Sequence, residues 1–140
     1  MKVGFFKVFR VVLTTLGICY VFICMAERSV SACDCARPGS PKEELQRADA
    51  VFVGEVISSK TENGYQIFEF KVERFWKGAL TKAALVKSGS GYCRYRFNMG
   101  EKYIVYALGK ASLSTSICTR TKSLNSASED LKDLGEGKRP

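Results

Sequence analysis

Residues 50–58 read AVFVGEVIS, a nearly unbroken β-branched run with Gly54 at its middle, which predicts a strand carrying a bulge or a sharp coil. Asn63-Gly64 follows, a dipeptide that favours a tight hairpin turn. Beyond it, residues 65–76 (YQIFEFKVERFW) set Phe68, Phe70, Val72 and Trp76 against Glu69, Lys71 and Glu73. That alternation is the period of a strand with one wet face. Further strands are expected at 85–87, 92–97, 103–108 and 113–118. Ser40-Pro41-Lys42-Glu43 places a capping serine before Pro at the first helical position and Glu at the third, which predicts a short helix over 41–48. Ser126-Ala127-Ser128-Glu129 reads as a second capping box, opening a helix that Gly135 ends; residues 135–140 are expected to fray. Five or six strands with two short helices fit a closed or partly open β-barrel of the OB type. The chain shows no internal repeat, linker or second domain.

The first 32 residues follow a different logic. Lys2, Lys7 and Arg10 make a positive start, and residues 11–26 are apolar apart from Thr14 and Thr15. That run of 16 residues is short for a membrane span, which needs about 20. Val30-Ser31-Ala32 offers small residues at the two positions a signal peptidase reads, so residues 1–32 are expected to be a signal peptide and Cys33 the first residue of an exported domain, 33–140. Two other readings are an uncleaved anchor and a lipidation signal that would hold the protein at the cell surface through Cys33. Glu27 and Arg28 separate the apolar run from Val30, whereas a lipidation site normally abuts it.

Charge adds little. Residues 33–140 hold 18 basic and 13 acidic side chains, a net charge of +5, and the positive ones are scattered. An anionic surface polymer, a membrane face or an acidic protein is a more natural partner than nucleic acid for such an exported surface. Arg94 and Arg96, on either side of Tyr95, are the densest basic group and define one candidate binding face.

Cysteine spacing says more. Cys19 and Cys24 lie in the leader, which leaves Cys33, Cys35, Cys93 and Cys118. An even number in a small exported domain indicates disulfides. Cys33 and Cys35 lie too close in extended chain to pair with each other without strain, so each needs a distant partner. Two connectivities satisfy this, and each closed loop stabilises by about 4 kcal/mol in the chain-entropy picture. A zinc site made of all four cysteines is disfavoured, because structural zinc ligands come in closely spaced pairs and Cys93 and Cys118 stand alone.

Catalysis has little to work with. The sequence contains no histidine, so it offers no Ser-His or Cys-His couple and no His-ligated metal. Glu69 and Glu73 alternate with Lys71 and read as surface charge. Gly89-Ser90-Gly91 is too short for a phosphate loop. A non-enzymatic, monomeric protein without a cofactor is expected.

Cys33-x-Cys35, then ADAVFVG from Ala48, YQIFEFKVERFWKG, GYCRYRF, EKYIVYALG and LSTSICTRTKSLNSA occur in an order and spacing that resemble the inhibitory N-terminal domain of the tissue inhibitors of metalloproteinases. The resemblance spans nearly all of 33–140 and rests most on the Cys-x-Cys with its two later cysteines. It implies a netrin-like barrel of the OB type, with Cys33 bonded to Cys93 and Cys35 to Cys118. It also implies a secreted inhibitor in which the amine and carbonyl of Cys33 chelate the catalytic zinc of a target metalloprotease. Cys33, Asp34, Cys35, Ala36 and Arg37 would form the contact segment, flanked by Ser90, Gly91 and Tyr92. Asp34 departs from the small hydroxylated residue of the animal inhibitors, and both their third disulfide and their C-terminal domain are absent. These departures make an exported zinc protease outside the matrix type the more natural target. The alternative is an exported OB-type module that binds an anionic polymer or a partner protein without inhibiting anything.

Overall fold

The computed structural model describes residues 33–78 and 81–140; residues 1–32, with the expected signal peptide and cleavage site, lie outside the described residues. Among the described residues six strands form one sheet: β1 (Ala50–Glu62), β2 (Tyr65–Lys77), β3 (Ala83–Ser88), β4 (Lys102–Ala107), β5 (Leu113–Thr115) and β6 (Lys122–Ser123), flanked by helices α1 (Pro41–Arg47) and α2 (Ser128–Leu134). The strand order is β5-β3-β2-β1-β4-β6. Neighbours are antiparallel except β3 and β5. Just past β4, Leu108 exchanges two backbone hydrogen bonds with Ser114 of β5, at 2.8 and 2.7 Å. The curled sheet is stitched there, so β1, β2, β3, β5 and β4 run in a ring: a mainly β, OB-type barrel with two flanking helices.

The apolar pattern explains the layering. Even positions of β1 (Ala50, Phe52, Val56) face the barrel interior with Phe68, Phe70, Val72, Val86, Tyr103 and Val105. Odd positions (Val51, Val53) join Ile104, Tyr106 and Ala127 in a second cluster under Leu45, Leu131 and Leu134 of the helices. Strands covered on both faces need no polar alternation, which is why β1 begins with an unbroken run. β2 alternates because the other sides of Lys71 and Glu73 meet water.

Gly54 marks a bulge, as its place in β1 suggested: the β1–β2 register shifts between Val53 and Gly54. A Cβ there would lie 2.9 Å from the Lys71 carbonyl oxygen, so only glycine lets the strands approach this closely. Asn63 and Gly64 both take positive φ (50° and 78°), joining Glu62 to its partner Tyr65 in a two-residue turn. Ser40 caps α1 in the expected box with Glu43.

Four expectations are corrected. Residues 92–97 are not a strand: a 3-10 turn (Gly91–Cys93) is followed by extended chain without a ladder. Their alternation is real, with Phe97 in the core and Tyr95 packed against it, but the segment pairs with no strand and the Tyr95 carbonyl is taken by the Ser88 hydroxyl at 2.6 Å. β5 stops at Thr115 rather than 118, because the chain turns there to bring Cys118 to Cys35. The second capping box does not form: α2 starts at Ser128 with no side-chain cap, and Glu129 pairs with Arg120 instead. The tail is anchored, Lys138 exchanging two 2.8 Å backbone bonds with Phe75 while the Trp76 indole donates to the Gly135 carbonyl at 3.0 Å.

Candidate functional site

Residues 33–37 lie along the barrel without regular structure, and their position is set by covalent bonds. Cys33 is joined to Cys93 (Cα–Cα 5.2 Å) and Cys35 to Cys118 (Cα–Cα 5.0 Å). The two disulfides are neighbours: Cys33 Sγ lies 3.4 Å from Cys118 Sγ and 3.8 Å from Cys35 Sγ. Three of these sulfurs fall within 4.8 Å of one another. Being bonded in pairs, they are not thiolate ligands.

The loops that receive the disulfides are tied to each other. Ile117 N–H donates to the Cys93 carbonyl at 3.1 Å, and Gly89 N–H to the Thr115 carbonyl at 2.7 Å. The Ser116 hydroxyl accepts from Cys118 N–H at 3.2 Å. At Gly89 a Cβ would sit 2.9 Å from the Cys93 carbonyl oxygen and 3.2 Å from Ser116 Cβ, so the glycine lets the two loops close.

A third fastening lies just downstream. Arg120 donates from Nη1 to the Gly39 carbonyl at 2.9 Å and from Nε to Asp130 at 2.7 Å. Asp130 is fully buried and also accepts from the Tyr106 hydroxyl at 2.7 Å and from Lys122 at 2.9 Å. Burial alone would raise its pKa, yet the hydrogen bonds from Arg120, Tyr106 and Lys122 outweigh it and hold the carboxyl below its ordinary range. Burial, followed by the Asp130 hydrogen bond, pushes the Tyr106 hydroxyl far up, so it stays a donor. Sequence reasoning did not single out Arg120 or Asp130, since their link depends on the packing of α2.

The result is a ridge made of 33–37, 89–93 and 116–118. Cys33 and Cys35 are half-buried on it, whereas Asp34, Ala36, Arg37, Ser90, Gly91 and Tyr92 are exposed. Tyr92 is 74% accessible and Ile117, which the sequence reading passed over, 47%. Asp34 sits between the two anchored cysteines with its side chain in solvent.

The other candidate face holds only in part. Arg94 and Arg96 line one cleft, but Tyr95 does not accompany them. It turns inward against Phe97 and Tyr103, with ring centroids 4.6 and 6.0 Å away; burial, then Glu101, raises its pKa. Glu69 accepts from the Ser58 hydroxyl at 2.7 Å and Glu73 pairs with Lys102 at 2.7 Å, both at the surface. Among the described residues no helix is long and apolar enough to cross a membrane.

No family model matches the chain, and no curated protein matches it either.

Proposed function

We propose that the protein is an exported inhibitor of zinc metalloproteases, of the kind its cysteine pattern resembles, acting through a Cys33 freed by removal of residues 1–32. The observation that carries this reading is the pair of neighbouring disulfides on either side of Asp34, which fixes three consecutive residues against the loops at Cys93 and Cys118 with the Asp34 side chain exposed. Stability alone does not require both bonds to converge on the first three residues of the domain.

The chemistry follows from that position. A catalytic zinc keeps one coordination position open for water or substrate. An α-amine has a pKa of about 8 and loses its proton readily to a metal. The amine nitrogen of Cys33 and its own carbonyl oxygen form a five-membered chelate when both face one ion. A mobile N-terminus would lose rotational freedom on binding, and the two disulfides remove that cost beforehand. Ser90, Gly91, Tyr92 and Ile117 widen the contact around the chelating residue. With no histidine in 140 residues, the protein acts by occupying a catalyst rather than by being one.

The decisive experiment moves one nitrogen. A form with one alanine added before Cys33 keeps both disulfides and the barrel but displaces the amine. Inhibition constants against a panel of exported zinc proteases should rise by orders of magnitude for that form, with no change in melting temperature. Equal inhibition by the native and extended forms, or inhibition by neither, refutes the proposal.

A further inference from the structure

A cleft of about 650 Å3 opens beside the ridge, between the hairpin end of β1 and β2 and the chain that follows Cys93. Arg94 and Arg96, two residues apart in extended chain, both line it. Ser59 of β1, Gln66 of β2 and Asn98 supply a hydroxyl and two amides, and Tyr92 stands at its rim. Its volume falls in the range of clefts that hold small ligands, roughly 300–1,000 Å3.

The charge in this cleft is uncompensated. No carboxylate among the described residues lines it. Among the described residues neither Arg94 nor Arg96 forms an ion pair, whereas Arg47 and Arg120 both do. The Nε–H of Arg94 is buried and has no acceptor among the described residues. Arg94 is half-buried, so an oxyanion meeting its guanidinium in the cleft is less screened by water than at a fully exposed arginine. Phe68 and Phe97 are buried at the base of the cleft, and by excluding water they lower the local dielectric and strengthen charge interactions above them. Guanidinium groups match the planar, two-oxygen face of carboxylates and sulfates.

The neutral side chains narrow the ligand. Ser59, Gln66 and Asn98 each carry donor and acceptor capacity on one short side chain. That combination suits hydroxyl groups, which donate and accept at once. We propose that the cleft binds an acidic saccharide, its carboxylate or sulfate held by Arg94 and Arg96 and its hydroxyls by Ser59, Gln66 and Asn98. The cleft shares Gly91 and Tyr92 with the ridge but does not use the Cys33 amine, so the proposal stands whether or not the protein inhibits a protease.

Calorimetric titration of the disulfide-bonded protein tests this with four probes: a heparin-derived tetrasaccharide, tetragalacturonate, neutral chitotetraose and a hexaglutamate peptide. One or both acidic saccharides should bind; heparin alone points to the sulfate, tetragalacturonate to the carboxylate. Arg96→Gln should weaken that binding about tenfold or more, the worth of one charged hydrogen bond. Arg96 is exposed, so this variant keeps its fold even if Arg94→Gln does not. Lys71→Gln removes the same charge from an exposed position on β2 outside the cleft and should change affinity by less than about twofold. The proposal is overturned if chitotetraose or hexaglutamate binds as tightly as the acidic saccharides, if Arg96→Gln has no effect, or if no probe binds.

Discussion

The guanidinium of Arg120 meets the buried carboxylate of Asp130 at 2.7 Å while reaching the Gly39 carbonyl at 2.9 Å, so one side chain links the C-terminal helix to the N-terminal segment. Cys118, two residues before Arg120, binds Cys35 in the same segment. The ridge is thus held by two covalent bonds and one charged contact, all drawn from elements far away in sequence.

Asp130 should govern acid stability. Its carboxyl is held below the ordinary range, so it contributes stability above that range and loses it as pH falls through the lowered folded value. Stability should decline below about pH 4, and Asp130→Asn, which cannot titrate, should flatten that decline. Asp130→Ala leaves Arg120 and Lys122 without their shared partner and should cost about 3 kcal/mol at neutral pH. Denaturant unfolding across a pH series measures both; an unaltered acid limb in Asp130→Asn would assign the decline to other carboxyls.

The two disulfides should matter for stability as well as position. Cys93→Ser and Cys118→Ser each open a loop spanning 60 and 83 residues respectively and should destabilise the fold by about 2–5 kcal/mol. Thermal melts of the single variants check this, and unchanged midpoints would count against either bond.

Gly54 should resist replacement. Because a Cβ would press on the Lys71 carbonyl at 2.9 Å and on Phe52 and Phe70 at 3.3 Å, Gly54→Ala should cost about 1–3 kcal/mol through overpacking at the bulge. Unfolding free energies compare it with Gly64→Ala, where nothing lies within 4 Å and the penalty comes only from the positive φ.

On the inhibitor reading, Asp34→Thr should tighten binding to a target protease. The Asp34 side chain is exposed in the free protein and would enter a contact as a carboxylate without a partner, a penalty of about 1–3 kcal/mol or more. Inhibition constants of the two forms decide it; weaker inhibition by Asp34→Thr would mean that the carboxylate meets a cation on the target.

Local chemistry alone determined the hairpin at Asn63-Gly64, the bulge at Gly54, the serine cap on α1 and the strand pattern of β1, β2 and β4, because each depends on neighbours within a few residues. Alternation at 92–97 gave the right facing for Tyr95 and Phe97 but not their element, since a period of two reports which side is wet and says nothing about a ladder partner. The cysteine count called for two long-range bonds; which sulfur meets which was open to the residues themselves and was decided by the fold, which brings the 3-10 turn at Cys93 and the loop at Cys118 to neighbouring points. Tertiary structure alone also decided the Arg120–Asp130 contact, the anchoring of Lys138 on Phe75 and the cleft shared by Ser59, Gln66, Arg94 and Arg96. The first two contacts join residues 10 and 63 positions apart, and no local pattern encodes a contact whose geometry exists only once the barrel has curled.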